Sequence, residues 1–263
     1  MVRAVSSPAP APVRGIRTPP ATAAASRPRQ SAAHPRSPPD LLWLTDGVWP
    51  LLRPLSVPDR EAFLALTRPR TFARNEVVCH AGDPADALHL VESGHLAVRS
   101  GLSTGVMATF TILSRGQFFG ELALLREDRR RTATVVALEA SRTLSVAGSA
   151  FQSLCLEHPH VERALTAMLA DRVDALSQRL LETMYESLDR RVYSRLVELA
   201  DSYGPQERAA TIPLSQTQLA DLVGATRPSV NQVLQRLADQ GLVQLSRGRI
   251  EVLDVVALKR RCR

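Results

Sequence analysis

The period of apolar positions changes along this chain. From Asp40 to about Thr67 it is helical: Trp43, Leu44, Val48, Leu51 and Leu55 come first. Ser56-Val57-Pro58-Asp59 then opens a short helix with Phe63, Leu64 and Leu66 on one side, proline suiting the first turn. From Phe72 to Ala147 the pattern is that of short strands: Val77–Val78, Leu88–Val91, Leu96–Val98, Ala108–Leu113, Ala133–Ala137 and Arg142–Val146. Ala81-Gly82-Asp83, Ser93-Gly94 and Arg115-Gly116 are the turn signals between them. Short strands at this spacing predict an antiparallel sandwich or barrel. Phe119-Gly120-Glu121-Leu122-Ala123-Leu124-Leu125 interrupts it and reads as a loop entering one helical turn.

After Gly148 the period is helical for about 50 residues. Leu169, Val173, Leu176, Leu180, Thr183 and Ser187 alternate spacings of four and three, a heptad seam that weakens at its C-terminal end. The seam follows a β domain that has its own core, so it predicts a helix for pairing with a second copy rather than for packing at home. Leu181, Met184 and Leu188 lie beside the seam, placed to face the chain's own domains.

From Asp189 a helix marked by Val192, Leu196, Leu199 and Ala200 runs to Ser202-Tyr203-Gly204-Pro205. The stretch Leu214–Leu234 then has the parts of a helix-turn-helix. Ser215 is placed to cap its first helix and Thr226 its second. Ala220 is small where the helices cross, and Gly224 suits a left-handed helix end. Leu219, Leu222, Val223, Val230, Val233, Leu234 and Leu237 form the apolar face. Leu242–Leu245 and Ile250–Leu253 flank Ser246-Arg247-Gly248-Arg249, a hairpin with arginine on both sides of its turn. The candidate DNA-facing set is Ser215, Thr217, Thr226, Arg227, Ser229, Asn231, Gln232 and Arg236, with Arg247 and Arg249 of the wing. Such side chains bond to phosphates or read base edges.

Charge follows this division. Residues 1–39 carry six Arg and no acid, residues 40–204 carry 18 basic and 21 acidic groups (−3), and residues 205–263 carry nine and five (+4). The first 39 residues hold nine of the 18 prolines and read as a disordered tail; a transit peptide, a basic arm on DNA or an over-long start are the other readings of it. Arg outnumbers Lys 32 to one, which reads as codon bias from a GC-rich genome. Three dispersed cysteines, Cys79, Cys155 and Cys262, argue against a disulfide framework or metal cluster and fit a reducing cytoplasm. No apolar run approaches the ~18 residues of a membrane span. No triad spacing, metal cluster or P-loop points to an enzyme.

One constellation points to a ligand. Gly120-Glu121-Leu122-Ala123 is followed by Arg131-Thr132. A helical turn beginning at Glu121 offers unpaired amides to an anion, Gly120 permits close approach, and Arg131 can fork onto a phosphate. Glu121 suits a ribose hydroxyl. These residues describe either a pocket for a ribose carrying a phosphate, or a tight sheet connection with a surface Glu–Arg pair.

The β-roll containing Gly116–Leu125, the long helix and the C-terminal winged helix-turn-helix together resemble the catabolite activator (CRP/FNR) superfamily of bacterial transcription regulators, over about residues 50–255. The resemblance implies an α+β chain: a cyclic-nucleotide-binding-like sensor (40–155), a dimerisation helix (156–188) and a winged helix-turn-helix (189–263), with the tail (1–39) lying outside it. It implies a phosphate-binding cassette from Gly120 to Arg131. Glu121 would take the ribose 2′-hydroxyl, and Arg131 and Thr132 the cyclic phosphate with backbone from Gly120 to Ala123. Arg172 would pair with the ribose-binding Glu, and Ser177 would meet the purine from the partner subunit. Leu176 stands where cAMP-responsive members have Thr. Pro228 and Gln232 replace their Glu and second Arg in the recognition helix, which implies a different operator half-site.

The cysteine cluster of the family's oxygen sensors is absent from the tail. Cys79-His80 reads as core and surface rather than a haem site, and His89 and His95 as structural. The expected function is thus a homodimeric, cytoplasmic regulator of palindromic DNA, with a cyclic nucleotide such as cAMP as effector and RNA polymerase a possible partner. The alternatives are a regulator of the same fold with another effector or none, and a cyclic-nucleotide regulatory subunit of an enzyme or channel.

Overall fold

The computed structural model describes residues 49–101, 107–203 and 209–262. Trp43, Leu44, Val48, the tail and Gly204-Pro205 lie outside them. The description begins with Trp49, a 3₁₀ turn (Pro50–Leu52) and α1 (Val57–Ala65). Ser56 caps α1, its hydroxyl accepting from the Asp59 amide at 3.3 Å. Phe63 and Leu64 are buried, but Leu66 is 60% exposed: it falls one residue past the helix, so the helical period no longer sets its direction.

Among the described residues eight strands follow. β1 (Arg68–Phe72), β8 (Ser141–Ala147), β3 (Ala87–Ser93) and β6 (Phe118–Phe119) form one antiparallel sheet in that order. β2 (Val77–Cys79), β7 (Thr134–Ala137), β4 (Leu96–Gly101) and β5 (Met107–Leu113) form the other. Alternation in β3 divides the core. Leu88 and Leu90 join Phe118, Leu144 and Val146 against Trp49, Phe63, Phe151 and Leu165 of the flanking helices. Val91, one register step away, packs between the sheets with Leu96, Leu113, Phe119, Val135 and Ala137. The hydrophobic pattern predicts strands only from Phe72, so β1 is an addition. Its Arg-Pro-Arg-Thr-Phe sequence has no apolar alternation because it is a largely exposed edge strand.

The helical stretch after Gly148 comprises three helices: α3 (Gly148–Glu157), α4 (Pro159–Tyr185) and α5 (Leu188–Tyr203). His158 separates the first pair, Pro159 opening α4, and an extended Glu186 separates the second. α4 has 27 residues, about 40 Å at 1.5 Å per residue. Val161 and Leu165 are its only fully buried side chains. Val173, Leu176 and Leu180 of the seam are 53–61% exposed. Two expectations for this helix fail. Ser187 is not in the seam, because α4 ends at Tyr185. Leu181 and Met184 do not face the chain's own domains but stand 50% and 61% exposed, widening the apolar stripe. Leu188, on α5, does pack against the C-terminal core.

That core gathers α5, β9 (Ala210–Ile212), α6 (Gln216–Val223), α7 (Arg227–Asp239), β10 (Val243–Ser246), β11 (Arg249–Val252) and α8 (Val255–Arg261). A three-stranded sheet, β10-β11-β9, backs the helices. Ala97 of β4 and Leu138 after β7 belong to the same buried cluster, so the winged-helix core extends into the β-roll.

Candidate functional site

A cavity of about 560 Å³ opens between the β-roll and α4. Gly120 sets up one wall. Its φ of +97° places it in the left-handed region, where it caps the five-residue α2 (Glu121–Leu125). A Cβ there would collide with the Arg131 guanidinium and lie 2.9 Å from the Ala87 carbonyl oxygen. Only glycine lets these groups approach.

Two buried charges face each other's needs across this cavity. Arg131 is 7% exposed, its backbone tied to the turn at Gly82–Asp83 by bonds of 2.8 Å. Its guanidinium has one carboxylate near it, Asp86 at 3.8 Å, which is itself almost fully exposed. Among the described residues Arg131 Nη1 is buried with no acceptor. Glu121 is 1% exposed. One of its oxygens takes Arg172 Nη1 from α4; Oε2 is buried with no donor among the described residues. Arg172 is fixed in turn by the Phe118 carbonyl at 3.1 Å and lies over the Phe118 ring, 5.4 Å from its centroid. A buried donor without an acceptor and a buried acceptor without a donor are each costly. A ligand carrying an anionic oxygen and a hydroxyl satisfies both.

The Glu121–Arg131 surface pair considered from the sequence is therefore not formed: Glu121 pairs with Arg172 and is buried. Gly120, Leu122, Ala123 and Thr132 also line the cavity. Ser177 does not; its hydroxyl donates to the Val173 carbonyl at 2.9 Å on the exposed side of α4. Leu176 reaches the cavity from that helix.

Sequence reasoning missed Phe110 and Arg179. Phe110, half-exposed on β5, and Arg179 of α4 both line the cavity. Arg179 Nη1 donates to the Phe110 carbonyl at 2.8 Å, and Nη2 lies 3.9 Å from Glu198 on α5. Burial and the nearby Arg195 lower its pKa. An aromatic at an outward strand position was the available signal for Phe110; nothing in the sequence marked Arg179. Cys79 lines the cavity as well, and burial pushes its thiol pKa up. His89 stacks on Phe119 with centroids 4.8 Å apart and shares a 3.1 Å hydrogen bond with Thr143. Burial, reinforced by Arg131, lowers its pKa to about 4, so it is neutral at pH 7. Among the described residues no His, Cys, Asp and Glu cluster could hold a metal ion, and no helix is long and apolar enough to cross a membrane.

The second site is a cleft of about 430 Å³ bounded by Ser215, Gln216, Thr217, Arg227 and the wing residues Leu245–Gly248. Its helices end as their sequence requires. Ser215 and Gln218 form a reciprocal capping box, with bonds of 3.2 and 2.8 Å. Gly224 closes α6 at φ +65°, and Thr226 caps α7, accepting from the Ser229 amide at 3.4 Å. Arg227 and Gln232 are exposed at the front of α7, with Asn231 and Ser229 partly covered. Arg247 is exposed at the wing turn. Arg236 and Arg249 are occupied: Arg236 pairs with Asp189 at 2.5 Å, and Arg249 with Glu251 at 2.9 Å. Neither acid was visible as a partner from spacing.

A sensing cavity joined to a winged helix-turn-helix defines a ligand-responsive transcription regulator. Residues 69–158 match the cyclic nucleotide-binding domain family, and residues 190–261 the Crp-like helix-turn-helix domain family. The chain is 30% identical over 208 residues to the CRP-like cAMP-activated global transcriptional regulator of Mycobacterium tuberculosis, covering 77% of this chain and 92% of that one. It is 30% identical over 211 residues to the cyclic AMP receptor protein of Thermus thermophilus, covering 80% and 95%. The c-di-GMP responsive global regulator CLP of Xanthomonas campestris shares the fold, with a TM-score of 0.64 at 21% identity over 76% of this chain and 99% of that one. The protein belongs to the CRP/FNR family of transcription regulators.

Proposed function

We propose that the protein is a homodimeric regulator of palindromic DNA in the bacterial cytoplasm, switched by a cyclic nucleotide, with cAMP the leading candidate. The observation that carries the effector reading is the pair of unsatisfied buried atoms, Arg131 Nη1 and Glu121 Oε2, at one cavity. A cyclic phosphate supplies the acceptor and the adjacent ribose 2′-hydroxyl the donor. The names of the relatives from Mycobacterium tuberculosis and Thermus thermophilus support cAMP. The exposed apolar stripe of α4, Val173, Leu176, Leu180, Leu181 and Met184, supports pairing with a second copy.

The mechanism is a shift between two arrangements of the recognition helices. Nucleotide in the cavity binds next to Arg172 and Arg179, both on α4, and Arg179 borders Glu198 of α5. A bias of ~1–3 kcal/mol toward the DNA-competent arrangement gives a useful response. That arrangement sets the two α7 helices ~34 Å apart in successive major grooves.

Calorimetry of the full chain with cAMP and cGMP, with Arg131→Ala beside the wild type, tests the effector. Saturable heat that Arg131→Ala abolishes is expected. Absence of heat with either nucleotide from a folded protein would leave a regulator of the same fold with a different effector. Selection from a random DNA pool, with and without nucleotide, tests palindrome recognition and its ligand dependence together.

A further inference from the structure

The turn between β1 and β2 carries an arginine that reaches the wing from the sensor domain. Arg74 Nη2 lies 3.3 Å from the carbonyl oxygen of Gly248, 174 positions along the chain. Gly248 is the left-handed residue of the wing turn, φ +75°, and lines the same cleft as Arg227 and Thr217. We propose that Arg74 is a DNA-backbone contact, so that the interface with the duplex includes one residue of the sensor domain. The proposal rests on the DNA-binding reading of that cleft and extends it.

Three observations carry it. The first is charge. Among the described residues Arg74, Arg227 and Arg247 enter no ion pair, whereas Arg236 and Arg249 are paired to acids. The acid beside Arg74, Glu76, spends a carboxylate oxygen on the Ala73 amide at 2.7 Å. The second is placement. The turn is held to β7, with the Asn75 amide donating to the Ala137 carbonyl at 2.7 Å and the Ala137 amide to the Glu76 carbonyl at 2.9 Å. Arg74 therefore projects from a fixed platform. The third is continuity. A guanidinium has five donors, and the bond to Gly248 uses one of them, leaving the others for an anion at the wing tip. A duplex against α7 and the wing runs its phosphates past this edge, and phosphate contacts from arginine supply sequence-blind affinity.

The test is a salt titration of DNA binding by fluorescence anisotropy, on a pool-selected duplex and on an unrelated duplex of equal length. Wild type, Arg74→Gln, Arg74→Lys and Arg247→Gln are compared. Arg74→Gln is expected to lower the slope of log affinity against log salt by about 0.9 on both duplexes, as one lost phosphate contact does. Arg74→Lys should restore it, and Arg247→Gln should show a similar loss. An unchanged slope for Arg74→Gln, or tighter binding through a freed wing, overturns the proposal while leaving the DNA-binding reading intact. A wild-type chain that binds neither duplex at low salt overturns both.

Discussion

Tyr203, at the end of α5, lies flat against the imidazole of His95 in the β-roll, with ring centroids 3.5 Å apart and planes 19° apart. His95 shares hydrogen bonds with Glu139 at 2.5 Å and with Ser202 at 3.1 Å. The two halves of the molecule are thus joined by a stacked, hydrogen-bonded contact as well as by Ala97 and Leu138. The Tyr203 hydroxyl is buried without a partner among the described residues, and burial raises its pKa.

This contact separates two substitutions. Tyr203→Phe keeps the stack and removes an unsatisfied hydroxyl, so urea midpoints should be unchanged or slightly higher. Tyr203→Ala removes the ring and should lose about 2 kcal/mol of stability. Equal losses in both variants would show that the hydroxyl, not the ring, matters.

Gly120→Ala should damage the cavity more than the fold. The positive φ and the clash with the Ala87 carbonyl cost about 1–2 kcal/mol. The displaced Arg131 should weaken nucleotide binding at least tenfold. Calorimetry together with thermal melting distinguishes the two effects; a variant that binds as the wild type does would show the close approach to be dispensable.

His89 makes stability pH-dependent. Its unfolded value is about 6.5 and its folded value about 4. Between these values the unfolded chain binds a proton that the folded chain excludes, so stability falls as pH drops from about 6.5 toward 4. The full loss is about 3 kcal/mol. Urea unfolding at pH 7.5 and pH 5 should show about 2 kcal/mol of it, and His89→Gln should flatten the difference. A profile identical in the two proteins would remove His89 as the cause.

Arg227→Ala should cost ~1–3 kcal/mol on the selected operator and less on unrelated DNA. Competition binding measures both, and a uniform loss would make Arg227 a phosphate contact instead of a base reader.

Leu180→Glu places a charge in the exposed α4 stripe and should convert a dimer to single subunits in analytical ultracentrifugation, with loss of operator affinity. An unaffected dimer would put the interface elsewhere.

Local signals were the legible ones. Ser215, Gly224 and Thr226 announce helix ends because capping acts over three or four residues. The strands of strongest alternation appeared where expected. What stayed hidden depends on distant partners. Arg68–Phe72 becomes a strand only because β8 is beside it. Glu121 and Arg172 meet across 51 positions, Asp189 and Arg236 across 47; only the family resemblance raised the first pair, and nothing raised the second. The heptad pattern marked the apolar stripe of α4, but carried it past Tyr185 because periodicity does not register the extended Glu186 that breaks the helix.

Ala97 and Leu138 seal the base of the winged helix from the sensor side. The DNA reader is consequently a poor cassette for transplantation: a chimera that grafts it onto another receptor must also recreate the floor it stands on, or leave part of its interior open to water.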